Sequence, residues 1–399
     1  MPSSTSPLSL YLHIPFCTHR CAYCDFNTYA AQESMIPAYV EALAREIAFV
    51  GNQLRTHEPP NHATRAHTVF FGGGTPSLLS PAQFSSIFTV IRNHFTLTED
   101  AEITIEANPG TVSFENLLEL HKIGINRLSY GVQSANAEEL LMLERVHNFF
   151  DVIEAVSSAR KAGFDNLNLD LIYGLPEQTM YTWQTTVKRI LDLQPEHISA
   201  YALTLEHGTP FGRWATRGLL PLPDPDLAAE MYEWLGETLA TSGYIQYEIS
   251  NWSKPGYECR HNLQYWRGLP YLAFGAGAHG YANGYRYSNV LRIKTYIDRI
   301  TNYPITNYNF PLTPATVNHH KQTLTEDMSE FMMTGLRLTQ EGVNAEDFQT
   351  RFGQSLHEVY RKEIAELLKV GLIEHGEGEG IKITRRGRLL GNQVFMQFV

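Results

Sequence analysis

The feature that most restricts the fold is a regular alternation of short apolar runs and longer helical patterns between residue 8 and about residue 205. The apolar runs are short and dense, as expected for parallel strands that are buried on both faces. We therefore predict six strands, at Leu8–Ile14, His67–Phe71, Glu102–Ala107, Arg127–Val132, Leu167–Ile172 and Ile198–Leu203.

The segments between these runs have the periodicity of amphipathic helices. After the first run, Val40, Leu43, Ile47 and Val50 recur at three- and four-residue spacing, with Pro37 near the start. A helix is also predicted at Asp151–Ala162, and another after Thr179, which is a suitable N-cap residue. A series of six strand–helix units predicts either a parallel β/α barrel or an open doubly wound sheet.

The positions of unusual polar residues distinguish these two folds. Three cysteines follow the first predicted strand, Gly72–Thr75 follow the second, and Glu106 closes the third. Gln133 follows the fourth strand, and Asp170 lies near the end of the fifth. Barrels build their sites from the carboxyl ends of several strands, whereas open sheets use one switch point. The pattern therefore favours an α/β fold with a partial (β/α)6 TIM-like barrel.

The pattern changes after Leu205, and we predict three regions: the barrel at 1–210, a barrel extension and connecting region at 211–315, and a C-terminal domain at 316–399. The last region is mainly helical and contains a predicted hairpin at Gly371–Thr384 before a final apolar helix. Helices followed by such a hairpin resemble a winged-helix module. His319 and His320 are interpreted as the exposed start of its first helix.

The overall charge is acidic, with 31 Lys and Arg against 42 Asp and Glu, for a formal net charge of −11. This balance opposes a general nucleic-acid-binding surface. We therefore interpret a local basic run as part of a lid or docking module and expect no nucleic-acid partner. The run consists of Lys382, Arg385, Arg386 and Arg388.

Other features of the composition bear on class and location. The 43% content of hydrophobic residues excludes global disorder. The first ten residues have neither the basic nor the apolar part of a secretory signal, and no run of eighteen apolar residues occurs. We therefore expect a cytoplasmic protein without a transmembrane segment.

Three of the four cysteines, Cys17, Cys21 and Cys24, lie within eight residues directly after the first predicted strand. Close thiols in a chain expected in the cytoplasm indicate metal ligands rather than disulfides. A structural zinc site needs a fourth protein ligand, which His13 or His19 can supply. Three thiolates alone can hold a 4Fe–4S cluster that keeps one iron open. The cysteines alone are compatible with both kinds of site.

This cysteine spacing, on the first strand-loop of a β/α series, resembles that of the radical S-adenosylmethionine (radical SAM) superfamily. In that superfamily the amino and carboxylate groups of the methionine chelate the open iron, and the reduced cluster cleaves the sulfonium to a 5′-deoxyadenosyl radical. The run from Phe70 to Pro76 resembles its methionine-amine site, because three glycines let backbone approach a ligand closely. The two motifs together favour the cluster over zinc.

Further motifs resemble the oxygen-independent coproporphyrinogen III oxidases and their relatives. They are Tyr-Leu-His-Ile-Pro-Phe-Cys, Cys-Ala-Tyr-Cys-Asp-Phe, Gly-Gly-Gly-Thr-Pro-Ser, Ile-Glu-Ala-Asn-Pro, Ser-Tyr-Gly-Val-Gln-Ser and Asn-Leu-Asp-Leu-Ile-Tyr-Gly-Leu-Pro. The resemblance continues into the C-terminal domain. It implies a set of S-adenosylmethionine contacts: Tyr11, Tyr23, Gly73, Gly74, Thr75, Glu106, Gln133, Arg145 and Asp170. The residue types suit this role, since carboxylates accept from amino or ribose hydroxyl groups and a guanidinium holds a carboxylate.

Two features separate this chain from the true oxidases of that family. The oxidases carry a fourth cysteine two positions after the third ligand, where this chain has Phe26, and an extension before the first strand. Both differences match the sister group of heme chaperones, HemW. In that group a His-Asn-x-x-Tyr-Trp pattern is implicated in heme binding, and here it begins at His261, whose imidazole suits heme iron. Cys259 is interpreted as a buried thiol rather than as a second ligand.

The resemblance therefore implies a heme chaperone that binds heme, a 4Fe–4S cluster and S-adenosylmethionine. We expect it to pass heme to an acceptor hemoprotein, such as a membrane-associated respiratory subunit, and to be a monomer or a homodimer. The alternative is a radical SAM oxidoreductase acting on a tetrapyrrole, with coproporphyrinogen III oxidation as the named reaction.

Overall fold

The protein is described by a computed structural model over residues 8–57, 65–304 and 308–399. Residues 1–7 lie outside the described residues. They include most of the segment in which no secretory signal is predicted, and the start of the predicted barrel region at 1–210. In the described residues no helix is both long enough and apolar enough to cross a membrane.

The secondary structure alternates as predicted over the first half of the chain. The strands are β1 (Leu8–Ile14), β2 (Phe16–Cys17), β3 (Tyr29–Ala30), β4 (Arg65–Gly73), β5 (Thr96–Ala107), β6 (Arg127–Gln133), β7 (Leu167–Tyr173), β8 (His197–Ala202), β9 (Ile245–Glu248), β10 (Asn251–Ser253), β11 (Tyr271–Phe274), β12 (His279–Ala282), β13 (Tyr285–Asn289), β14 (Thr316–Lys321), β15 (Ile373–His375) and β16 (Ile381–Ile383). The helices are α1 (Ile36–His57), α2 (Pro81–His94), α3 (Phe114–Ile123), α4 (Ala137–Met142), α5 (Phe149–Lys161), α6 (Met180–Asp192), α7 (Pro210–Thr216), α8 (Pro225–Thr241), α9 (Arg260–Trp266), α10 (Ile293–Asn302), α11 (Leu324–Gly335), α12 (Ala345–Phe352), α13 (Leu356–Val359), α14 (Arg361–Lys369), α15 (Arg385–Leu389) and α16 (Gly391–Phe395).

One twelve-stranded sheet organises the fold, in the order β14-β13-β12-β11-β1-β4-β5-β6-β7-β8-β10-β9. Its centre consists of the six predicted strands, β1 and β4 to β8, which are parallel and adjacent in chain order. The prediction of a partial six-unit α/β barrel is therefore confirmed. The later strands extend this sheet at both edges, with β11 parallel to β1 and the strands beyond it antiparallel.

Two of the predicted helices show why their boundaries fall where they do. Helix α6 begins after Thr179, whose side chain accepts from the backbone N–H of Thr182 while the Thr182 side chain returns a bond to the cap. Helix α5 begins two residues before the predicted Asp151, because Asn148 caps it in the same reciprocal way with Asp151.

The two faces of the central strands differ in character. In β1, Leu10, Leu12 and Ile14 are fully buried in the apolar core beneath the helices. The opposite face of neighbouring strands carries small or polar side chains, and on this face the Asn168 amide donates to the Ser129 hydroxyl at 2.7 Å. Barrel interiors are usually filled by bulky branched residues, so a polar lumen of this kind leaves room for a cavity.

A buried carboxylate fastens the region after α9 to the barrel. Glu46 on α1 is 1% exposed and accepts four hydrogen bonds. The donors are the Gly275 backbone at 2.8 Å, the Asn289 amide at 2.8 Å, the Tyr296 hydroxyl at 2.7 Å and the Thr313 hydroxyl at 2.9 Å. One side chain thus ties α1 to the segment that carries β11 to β14.

The boundary of the C-terminal domain and the role of two histidines need correction. Residues 316–321 form β14, which pairs with β13 at the edge of the main sheet. His319 and His320 therefore lie on a strand rather than at a helix start, because they continue the β13–β14 ladder. The separate C-terminal core begins at Met328 and includes the predicted hairpin, β15 and β16.

The local basic run contacts protein groups. Lys382 pairs with Glu374 at 3.3 Å, and Arg385 pairs with Glu237 of α8 at 2.6 Å. The Arg388 guanidinium donates to the Gln246 side chain at 2.6 Å. Of the four residues, only Lys382 lies on the hairpin, since the three arginines belong to α15. The run helps to dock the C-terminal domain onto the barrel extension.

Candidate cofactor site

A cavity of about 540 Å³ runs into the barrel from the carboxyl ends of the parallel strands. Its outer part is lined by the cysteine loop after β1, by the glycine loop after β4 and by the end of β6. Its inner end is lined by Arg127, Asn168, Cys259 and Asn262. The cavity therefore joins the predicted cofactor loops to the lumen.

The three predicted cysteines line the mouth of this cavity. The Thr75 hydroxyl donates to the Cys17 sulfur at 3.6 Å, and the Arg145 guanidinium donates to the Cys21 sulfur at 3.6 Å. Burial raises the pKa of the Cys17 and Cys24 thiols. Because iron binds the thiolate, assembly of a metal centre here releases protons.

The glycine loop is held directly against the cysteine loop by backbone hydrogen bonds. The Gly74 N–H donates to the Ile14 carbonyl at 2.9 Å, and the Thr75 N–H donates to the Phe16 carbonyl at 2.7 Å. A Cβ atom at Gly74 would lie 2.6 Å from the Phe16 oxygen, and Gly73 has a φ of 115°. Larger residues do not fit this approach, which explains the glycine requirement physically.

The residues at the mouth fit an iron–sulfur cluster better than zinc. No three His, Cys, Asp or Glu side chains in the described residues are arranged to hold a single metal ion. The His13 ring is bonded at both nitrogens, to the Tyr11 hydroxyl and the Asn27 carbonyl, each at 2.9 Å, and His19 pairs with Glu144. A cluster binds each thiolate to a different iron, so its ligands need not converge on one point as a tetrahedral zinc site demands.

Two carboxylates predicted to contact S-adenosylmethionine lie deeper in the same cavity. Glu106 accepts from the Gly73 N–H at 2.9 Å, and Asp170 accepts from the Ser129 hydroxyl at 3.0 Å. Burial, followed by the negative charge of Asp170, raises the pKa of Glu106 to about 7. Glu106 is therefore close to half ionised at neutral pH.

The other predicted contacts surround the mouth. Arg145 is held beside the cysteine loop by the Gly131 carbonyl, to which it donates at 2.7 Å. Tyr23 and Gln133 also line the cavity, and Gln133 has a left-handed φ of 68° at the end of β6. Such strained backbone is often found at functional sites.

Two predicted residues, Tyr11 and His261, are not among those that line the cavity. The ring of Tyr11 stacks against Phe70 with centroids 6.3 Å apart, and its hydroxyl is bonded to His13. Its contact with S-adenosylmethionine stays a prediction.

Helix α9, which carries the His-Asn-x-x-Tyr-Trp segment, closes the opposite end of the barrel from the cysteines. The backbone N–H groups of Arg260 and His261 donate to the Glu102 carboxylate at 2.9 and 3.0 Å. The Cys259 sulfur lies 3.5 Å from the same carboxylate and is fully buried. The segment thus forms a plug at the amino ends of the strands.

Both ring nitrogens of His261 are occupied. Thr68 donates to the Ser9 hydroxyl, so its oxygen accepts from His261 Nδ1–H at 2.7 Å, and His261 Nε2 accepts from the Tyr265 hydroxyl at 2.8 Å. Burial lowers the pKa of His261 to about 3, so the imidazole is neutral. Ligation of iron by His261 stays a prediction, and it requires one of these bonds to open.

Several cavity residues escaped prediction: Arg127, Ser129, Asn168, Ser199, Tyr201 and Asn262. All but Asn262 lie on strands that had been predicted correctly. Their signal was available, because polar residues at alternate positions of an otherwise apolar parallel strand point to one face of the sheet.

Comparison with known proteins agrees with this site. The family described as the Radical SAM superfamily matches residues 11–190, and the HemN C-terminal domain matches residues 322–390. The structure of the coproporphyrinogen III oxidase HemN of Escherichia coli, described as a radical SAM enzyme, aligns with a TM-score of 0.81 and 26% identity. That alignment covers 99% of this chain and 90% of the oxidase chain.

Sequence relatives are closer than this structural neighbour. The heme chaperone HemW of Bacillus subtilis is 39% identical over 392 residues, which are 98% of this chain and 99% of the relative. The heme chaperone HemW of Escherichia coli is 40% identical over 275 residues, which are 69% of this chain and 70% of the relative. Since this identity extends through both the cofactor loops and the C-terminal domain, the chain belongs to the HemW family of heme chaperones within the radical SAM superfamily.

Proposed function

We propose that this protein binds heme together with a 4Fe–4S cluster and S-adenosylmethionine, and passes the heme to an acceptor hemoprotein. The observation that carries the proposal is the 39% identity to a heme chaperone over 98% of the chain. The cysteine and glycine loops that meet at the mouth of one cavity support the cofactor part of it. A membrane-associated respiratory subunit is the kind of acceptor we propose.

The chain's own groups have distinct jobs in this proposal. Cys17, Cys21 and Cys24 would hold the cluster, and the reduced cluster with S-adenosylmethionine would supply radical chemistry. Glu106 would accept from an N–H of the methionine amine, and Arg145 would donate to the methionine carboxylate. Both side chains are held at the cavity by backbone partners, which orient them before a ligand binds.

The second candidate function is oxidation of coproporphyrinogen III, which the likeness to the oxidase HemN favours. Phe26 opposes it. This residue lines the cavity mouth with 64% of its surface exposed, at the place where the resemblance puts a fourth cysteine in the oxidases. A phenyl ring cannot replace a thiol in proton or radical chemistry.

One experiment separates the two functions. The anaerobically reconstituted protein is incubated with heme and an apo-hemoprotein, and separately with coproporphyrinogen III, S-adenosylmethionine and a reductant. We expect about one heme per chain, transfer of that heme to the acceptor, and no protoporphyrinogen IX. Formation of protoporphyrinogen IX at a catalytic rate would assign the oxidase function instead.

The affinity for S-adenosylmethionine is expected to depend on pH through Glu106. Its pKa near 7 means that the carboxylate becomes protonated as the pH falls, and the negative charge that stabilises the bound amine is lost. The dissociation constant should therefore rise below pH 7, approaching roughly tenfold per pH unit. Asp170, Arg127, Tyr11 and Tyr265 are the other ionisable groups that act electrostatically with Glu106.

Equilibrium binding between pH 5.5 and 8 measures this dependence on cluster-loaded protein. Glu106→Gln should bind more weakly at pH 8 and depend less steeply on pH, with the remaining slope due to the proton that the amine loses when it chelates iron. The matched control is Glu119→Gln on the surface of α3, where a carboxylate pairs only with Lys122. A Glu106→Gln variant that keeps the wild-type profile would remove Glu106 from the binding site.

Heme ligation by His261 can be tested by removing the Tyr265 hydroxyl, which is bonded to His261 Nε2. If His261 ligates heme iron, Tyr265→Phe frees Nε2 and should tighten heme binding, while His261→Ala should weaken it or change the spin state of the iron. Absorption and electron paramagnetic resonance spectra of the two variants report these changes. Unchanged heme affinity and spectra in both would make His261 a packing residue of α9.

A further inference from the structure

Arg127 is a buried cation whose guanidinium has no hydrogen-bond partner among the described residues. Its side chain is 2% exposed, and in the described part of the chain it makes no hydrogen bond or ion pair, with Nε unsatisfied. The nearest carboxylates are occupied by other donors. Glu102 accepts from two N–H groups of α9, and Asp170 accepts from Ser129 and Asn168. The negative charges of Glu102 and Asp170 act on Arg127 and offset part of the cost of burying it. The hydrogen-bonding capacity of its N–H groups remains available to a ligand.

The guanidinium lies at the inner end of the cavity, which Asn262 of α9 also lines. Asn262 belongs to the His-Asn-x-x-Tyr-Trp segment, and its side chain has no hydrogen bond within the described residues. The other members of the segment do not line the cavity. His261 and Tyr265 bond each other, and the Arg337 guanidinium lies 4.2 Å from the Trp266 ring centre. Asn262 is therefore the member of this segment that is available to a ligand.

A guanidinium and an amide N–H₂ together suit a carboxylate, which can accept two parallel bonds from arginine and another from the amide. This carboxylate is not the one assigned to Arg145. Arg145 bonds Gly131 beside Cys21, and Gly131 lies four residues along β6 from Arg127, roughly 13 Å at the rise of a strand. S-adenosylmethionine has one carboxylate, so the inner site must serve a second ligand.

We propose that Arg127 and Asn262 form a carboxylate subsite that binds a propionate of the tetrapyrrole. This inference rests on the proposed heme-binding function. A propionate is a flexible side chain that projects from one edge of the macrocycle. It can therefore extend deeper into the cavity than the ring and contact a buried group at the inner end. The subsite also gives the His-Asn-x-x-Tyr-Trp segment a role in heme binding through its amide, independently of iron ligation.

The test compares heme with its dimethyl ester, which keeps the ring and iron but lacks free carboxylates. Wild-type, Arg127→Gln and Asn262→Ala proteins, all with the cluster in place, are titrated with both compounds. We expect the wild type to bind heme at least roughly tenfold more tightly than the ester, and both variants to lose most of that preference while binding the ester unchanged. Arg217→Gln, at an exposed site after α7, is the matched control.

The outcomes are distinguishable. If the wild type binds heme and the ester equally, the subsite is wrong although the heme-binding function stands. If Arg127→Gln and Asn262→Ala both weaken the binding of S-adenosylmethionine and leave the preference for heme over the ester unchanged, the carboxylate belongs to that cofactor and the inference fails. If the wild type binds no heme, the proposed function itself fails. Folding is checked by urea denaturation of ligand-free protein, in which Arg127→Gln should still unfold in one cooperative transition. Asn262→Ala, at a partly exposed position, provides the second variant.

Discussion

Replacing Cys17, Cys21 or Cys24 with alanine is expected to prevent assembly of the proposed 4Fe–4S cluster. The three thiols line one cavity mouth, and no fourth cysteine lies beside them. A cluster that loses one of three protein ligands has two corners open to solvent and does not persist. Anaerobic reconstitution should therefore load about four iron atoms per chain in the wild type and essentially none in each variant, as measured by iron and sulfide analysis.

The matched control is Cys259→Ala, which removes a thiol at the far end of the barrel. Cys259 is buried against Glu102 and should leave iron loading unchanged. Circular dichroism of each variant shows whether the fold is kept. Retention of the cluster in any of the three loop variants, or one zinc and no iron in the wild type, would contradict the assignment.

Replacing Glu46 with alanine is expected to cause the largest loss of stability among single changes outside the apolar core. The substitution leaves four buried donors without an acceptor, in Gly275, Asn289, Tyr296 and Thr313. The free energy of unfolding should fall by roughly 3–5 kcal/mol, since each stranded donor keeps its desolvation cost. The shift of the urea midpoint measures this loss.

Glu41→Ala is the matched control for that measurement. Glu41 lies on the same helix but is exposed, so its removal should change the free energy of unfolding by no more than about 0.5 kcal/mol. Equal effects of the two substitutions would show that the Glu46 network does not stabilise the fold. A smaller loss for Glu46→Gln than for Glu46→Ala would confirm that the acceptor oxygen is what matters.

The strands and helices of the barrel were predictable because their signals are local. Each central strand is a short apolar run, and Thr179 caps its helix through a residue three positions away. The cofactor loops were also predictable, since their residues follow the strand ends directly. The burial of Glu46 was predictable as well, because this residue lies next to Ile47 on the apolar stripe of α1. An acidic side chain at such a position needs several buried hydrogen-bond partners.

The contacts of α9 at the inner end of the cavity were not predictable, because they join segments that are distant in sequence. Nothing near His261 indicates that it will bond Thr68, which lies 193 residues earlier. The strand identity of His319 and His320 similarly depends on pairing with β13, which their own sequence does not encode. Residues whose environment is set by such long-range pairing are the ones that were placed incorrectly or missed.

The closed end of the barrel has a kinetic consequence. Since α9 seals the amino ends of the strands, a molecule that reaches Arg127 must enter and leave past the cysteine and glycine loops. S-adenosylmethionine bound between those loops, as proposed, would block the same entrance. Binding is then ordered: the inner ligand binds before S-adenosylmethionine and dissociates after it. Excess S-adenosylmethionine should therefore lower both the association and the dissociation rate of the inner ligand. The equilibrium affinity of the inner ligand should change by a smaller factor than either rate.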